Sequence, residues 1–192
     1  MNIPFHKPFL PEDISKLFGD SINNGWLTTG SVVKNFESDL TKYTKYDNVV
    51  AVNSCTAALH LALSAKNFGF GDKFIAPTYT FVASVEVGEY LSMHPILVDC
   101  NDENFNLDLN VVEYLLSKDK SIKVIIPVHF AGEPVSRDDL NFLSEKYNVF
   151  ILEDAAHALE SSALLTIPGN INSAVAFSFY ANKNITTGGE GG

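Results

Sequence analysis

The chain has 192 residues, a formal net charge of −10, 46% hydrophobic residues and 19% charged residues. That composition excludes a disordered chain and suffices for one domain with a sizeable core, or at most two small ones. The acidic balance argues against a nucleic-acid partner, which needs a basic face, although local N–H groups can still hold a small anion.

Helical spacing appears first over residues 11–23 and 33–43, and the apolar run 49–53 then reads as a first strand. Beyond it, short apolar runs at 74–77, 95–99, 124–129, 149–153 and 174–179 alternate with amphipathic stretches at 56–65, 82–90, 109–116 and 137–147. Runs that are apolar on both faces suit strands covered by helices on either side. Asp108 and Ser136 stand where N-caps are expected. The alternation predicts an α/β domain with a mostly parallel sheet, whose ligands collect beyond the carboxyl ends of the strands.

Several classes find no support. Cys55 and Cys100 lie far apart without CxxC spacing, which predicts neither a disulfide framework nor a zinc site. The five histidines show no paired spacing, so no metal is expected. The N-terminus lacks a signal-peptide pattern, and no apolar run reaches the ~18 residues of a membrane span. A cytoplasmic protein with no membrane partner is the expectation.

Three segments at strand ends can carry chemistry. Ser54, Cys55, Thr56 and Ala57 open a helix directly after the first apolar run. A helix start offers free N–H groups and a positive dipole end to a phosphate, and it also suits a simple Ser/Thr cap. Glu153 and Asp154 end another strand, with His157 three residues on. A buried carboxylate needs a cationic or hydrogen-bonding partner, which a pyridinium N–H would supply; a capping Asp and a surface His read equally well. Ser178 lies in the last strand run and Lys183 just past it, where a partly buried amine can serve as a nucleophile. Phe81 presents a flat apolar ring near a further strand end, as either core or stacking partner.

Taken in order, the motifs resemble the DegT/DnrJ/EryC1/StrS family of sugar aminotransferases. The resemblance runs through Trp26-Leu27-Thr28-Thr29-Gly30, Ser54 to His60, Thr80-Phe81-Val82-Ala83, Pro127-Val128-His129 and Glu153-Asp154-Ala155-Ala156-His157. It ends with Ser178-Phe179, Lys183-Asn184 and the glycine-rich tail. Cys55 stands where the family commonly has Gly, His157 where it often has Gln, and Ala131 in place of a frequent Tyr.

The resemblance implies the large domain of a type I pyridoxal-phosphate (PLP) transferase, a three-layer fold whose mostly parallel, mixed sheet is flanked by helices. Residues 1–192 would form that domain, with 1–30 as N-terminal arm and first helix and a small C-terminal domain missing. Lys183 would be the Schiff-base lysine and proton shuttle, and Asp154 the partner of the pyridine nitrogen. Phe81 would stack on the ring and His157 would sit near the phenolic oxygen. Ser54, Cys55, Thr56 and Ala57 would border the phosphate, held by the Thr56 and Ala57 N–H groups and the Thr56 hydroxyl, with Ser178 assisting. The implied reaction moves an amino group, with glutamate as donor, to a nucleotide-linked keto-deoxysugar through the pyridoxamine phosphate (PMP) form, in a homodimer. Two alternatives stay open: a truncated or split non-catalytic fragment that binds PLP or a nucleotide sugar, and the family's sugar dehydratases, against which Lys183 argues because they carry histidine there.

Overall fold

Apolar runs and amphipathic stretches become, in the computed structural model, a parallel sheet between two layers of helices. The structure describes residues 3, 6–8, 10–161 and 172–192, so part of the expected N-terminal arm (residues 1, 2, 4, 5 and 9) lies outside the described residues. Helices α1 (Ile14–Asn23), α2 (Ser31–Thr44) and α3 (Cys55–Ala65) precede strand β1 (Lys73–Pro77). Then follow α4 (Ala83–Glu89), β2 (His94–Val98), α5 (Leu109–Lys118), β3 (Ile122–Ile125), α6 (Arg137–Tyr147), β4 (Phe150–Asp154) and β5 (Ser173–Ala176). The strand order is β2-β1-β3-β4-β5, and every pairing between these strands is parallel. The helix starts follow the sequence: Asp108 accepts from the N–H groups of Asn110 and Val111, and Ser136 accepts from that of Asp139.

The two-residue period of a strand divides the core. Phe74 and Ala76 of β1, with Phe150 and Leu152 of β4, face Leu59 and Leu63 of α3 and Val87 of α4. Ile75 and Ile151 face the opposite way, onto Val112 and Leu116 of α5 and Leu140 and Leu143 of α6. The chain steps from β1 to β2 on one side, then crosses back to β3 on the other. That reversal of direction puts α4 and α5 on opposite faces when crossovers are right-handed. It also opens a crevice at the carboxyl ends of the strands. Gly88 lets α4 lie close on the sheet, because a Cβ there would come within 2.3 Å of the fully buried Phe74 ring.

Three strand expectations need correction. Residues 49–53 form no strand: Val52 and Gly192 exchange N–H···O bonds of 2.9 and 3.0 Å, and on the opposite edge the Ala51 N–H goes to the Glu37 carboxylate at 2.9 Å. A ladder needs consecutive pairs, and this one stops at a single pair. The run 124–129 leaves regular pairing at Ile125, two residues before Pro127, which has no N–H to give. The run 174–179 ends at Ala176, so Ser178 lies beyond the strand rather than within it.

Candidate active site

The floor of the crevice is set by β4, whose last two side chains diverge. Glu153 points to the α6 face and Asp154 to the α3/α4 face, as strand periodicity requires. Glu153 is buried and fully engaged: its Oε2 meets His129 Nε2 at 2.9 Å and Arg137 Nε at 3.2 Å, and its Oε1 meets an Arg137 terminal nitrogen at 3.2 Å. His129 Nδ1 accepts the Val135 N–H at 3.0 Å, which leaves the proton on Nε2 to be donated to Glu153. Arg137 also donates to the Tyr46 hydroxyl. Burial works against the charge on Arg137, yet Glu153 and Tyr46 carry its pKa above the ordinary value.

Asp154 differs from its neighbour. It is only 6% exposed, yet among the described residues it makes no ion pair. Oδ2 accepts the Ser84 hydroxyl at 2.7 Å, Oδ1 accepts the Ala156 N–H at 3.1 Å, and the Cys55 thiol lies 4.0 Å from Oδ1. An ionised carboxylate has about four acceptor positions, so room remains for a further donor. Burial, and then the charge of Asp154, hold the Cys55 thiol protonated far above its ordinary range.

Around Asp154 the other candidates converge on one cavity of about 600 Å³. Ser54, Cys55, Thr56, Phe81, Asp154, His157, Ser178 and Lys183 all line it. Ala57 does not, because its N–H turns inward to the Ser54 hydroxyl at 3.1 Å, making Ser54 the N-cap of α3. The N–H groups of Cys55 and Thr56 have no such partner among the described residues, so that end of the cavity can receive an anion. Phe81 shows 75% of its surface, which excludes the core reading.

Lys183 sits in a turn after β5, its N–H bonded to Tyr180 O at 2.9 Å. Its side chain is half-buried, and its amine makes no hydrogen bond or ion pair among the described residues. A second, smaller cavity of about 180 Å³ lies against the same lysine, bordered by His157, Glu160 and Asn184. The His157 pKa is lowered by partial burial and then by the charge of Lys183, with Asp154 opposing. The imidazole is therefore neutral at neutral pH and has one N–H to donate.

Sequence reasoning missed two contributors. It gave no role to Ser84, although Thr80 and Ser84 lie four apart at the start of a helix, where two hydroxyls face each other. It also left unread the partners of Glu153, because His129 and Arg137 reach it from separate elements. Among the described residues, no three His, Cys, Asp or Glu side chains are grouped as metal ligands, and no helix is long and apolar enough to cross a membrane. A ligand with an anionic group, a protonated ring nitrogen, a flat ring and a carbonyl would meet a fitting partner at each point of the larger cavity.

Comparison with known proteins matches residues 9–192 to the model of the DegT/DnrJ/EryC1/StrS aminotransferase family. The spore coat polysaccharide biosynthesis protein SpsC of Bacillus subtilis is 35% identical over 190 residues, covering 99% of this chain and 48% of its own length. The UDP-4-amino-4-deoxy-L-arabinose–oxoglutarate aminotransferase of Shewanella sediminis is 34% identical, with 99% and 48% covered. Among solved structures, a candidate sugar aminotransferase from Streptococcus pneumoniae in its PMP form superposes with a TM-score of 0.90 at 34% identity, covering 99% of this chain and 51% of that one. The chain thus spans about half the length of the curated relatives it matches.

Proposed function

The chain belongs to the DegT/DnrJ/EryC1/StrS aminotransferase family, and on that premise we propose that it carries the PLP half of a site that aminates a nucleotide-linked keto-deoxysugar. The observation that carries this reading is Asp154, a buried carboxylate with no cationic partner among the described residues, sharing one cavity with the uncommitted amine of Lys183. A pyridinium N–H is the donor that such a carboxylate lacks.

On this reading the Cys55 and Thr56 N–H groups, the Thr56 hydroxyl and Ser178 hold the phosphate, and Phe81 covers a face of the ring. Asp154 would accept the ring N–H, and His157 would donate to the phenolic oxygen. Lys183 Nζ would hold the cofactor's carbonyl carbon and would move the proton at the substrate carbon. When bound, the cofactor supplies an electron sink for that carbon and a carrier for the amino group. The Ala57 N–H, already committed to Ser54, is not needed as a phosphate ligand.

Glutamate as donor is supported by the Shewanella relative, whose name pairs an aminosugar nucleotide with oxoglutarate, the keto acid that glutamate leaves behind. Residues 1–192 act as one cofactor-binding domain, and a homodimer is the expected assembly. Protein loaded with PMP and mixed with UDP- and dTDP-linked keto-deoxysugars is expected to yield the sugar amine by mass spectrometry, with PLP formed in equal amount. PLP binding with no nitrogen transfer to any keto-sugar nucleotide would remove the substrate class from the proposal.

A further inference from the structure

Asp154 is oriented by a hydroxyl chain that none of the assigned roles uses. Ser84 is fully buried in the first turn of α4, and its Oγ lies 2.7 Å from Asp154 Oδ2 and 2.7 Å from Thr80 Oγ1. A hydroxyl has one proton, and an ionised carboxylate can only accept. Ser84 therefore donates to Asp154 and accepts from Thr80, which fixes the direction of the whole chain. Thr80 also lines the cavity, next to Phe81.

We propose that Ser84, backed by Thr80, is a positioning residue that aims the Asp154 carboxylate at the ring nitrogen of the cofactor. This rests on the assignment of Asp154 to that nitrogen. With Oδ2 held by Ser84 and Oδ1 by the Ala156 N–H, the carboxylate is tied at both oxygens and cannot rotate without breaking a bond. Its remaining acceptor position is thereby fixed before any ligand arrives, so little ordering is left to be done on binding. One segment, 80–84, sets both the apolar ring that covers the cofactor and the orientation of the carboxylate that pairs with it.

The test compares two ligands that do not bond covalently to Lys183: PMP, and its analogue with C–H in place of the ring nitrogen. Each is titrated into the apo-protein by fluorescence, and folding of every variant is checked by circular dichroism. Wild type should favour PMP over the analogue. Ser84→Ala should weaken PMP by about tenfold, the scale of one hydrogen bond to a charged group, and leave the analogue unchanged. Ser84→Thr should restore the preference, and Thr80→Val should shift it the same way by less. Equal weakening of both ligands in Ser84→Ala would show a merely structural role and overturn the proposal. If Ser84→Ala does not fold, Thr80→Val decides by the same criterion. A wild type that binds the two ligands equally would instead refute the pairing of Asp154 with the ring nitrogen, and the proposal with it.

Discussion

Asp154 and Glu153 are adjacent in sequence and have opposite surroundings, because successive side chains of a strand leave on opposite faces. Glu153 is satisfied by Arg137 and His129, while Asp154 has neutral donors and an open position on the cavity side. That at least one of two carboxylates ending an apolar strand faces the crevice was legible in the sequence. Which one does so depends on register, and becomes plain only with Ser84 and Arg137 in place. The same limit hid Ser84 itself: one serine in an apolar helix start carries no signal until its acceptor is seen. His157 offers a test at this scale. Partial burial and then the Lys183 charge lower its pKa, so Lys183→Ala should move its titration, followed by NMR, upward towards the ordinary histidine value. The sign for stability follows by linkage. Between the ordinary value and the lower folded one, the unfolded chain holds the extra proton, so His157 makes the fold less stable as pH falls through that window. No upward movement in the variant would show that the lysine does not act on this imidazole.

The elements were the most legible level, because hydrophobic period and caps are local. Helix α6 occupies 137–147 as its spacing predicts, and Asp108 and Ser136 cap where expected. The miss at 49–53 has a physical source: an apolar extended run becomes a strand only if its backbone finds successive partners, and Val52 and Gly192 make a single pair. Distant ties of this kind also join elements. Arg137 at the start of α6 binds Glu153 at the end of β4 and Tyr46 just beyond α2. Arg137→Ala should lower stability in urea unfolding by roughly 3–5 kcal/mol, the usual cost of stranding a buried charge. A loss below about 1 kcal/mol, the range of exposed pairs, would show that Glu153 is solvated or neutralised some other way.

For the whole molecule, the alternation of elements gave the α/β class, and a parallel sheet then places its site at the carboxyl ends of its strands. Less legible was how much apolar surface the described residues leave uncovered. Helix α1 buries none of its residues, and Leu17 and Ile22 are 56% and 63% exposed. Trp26 and Leu27, just after it in sequence, are 65% and 78% exposed. Exposed apolar side chains of this kind favour association, which supports the proposed homodimer. Light scattering should therefore give a mass above one chain; a monodisperse monomer would contradict it. Whether the cavity places a cofactor on Lys183 can be read directly. The protein is incubated with PLP, reduced with borohydride, digested and mapped by mass spectrometry. A phosphopyridoxyl group is expected on Lys183, little on exposed lysines such as Lys66 or Lys123, and none at the site in Lys183→Ala. Labelling spread evenly over the surface lysines, or no labelling of Lys183, would contradict that placement.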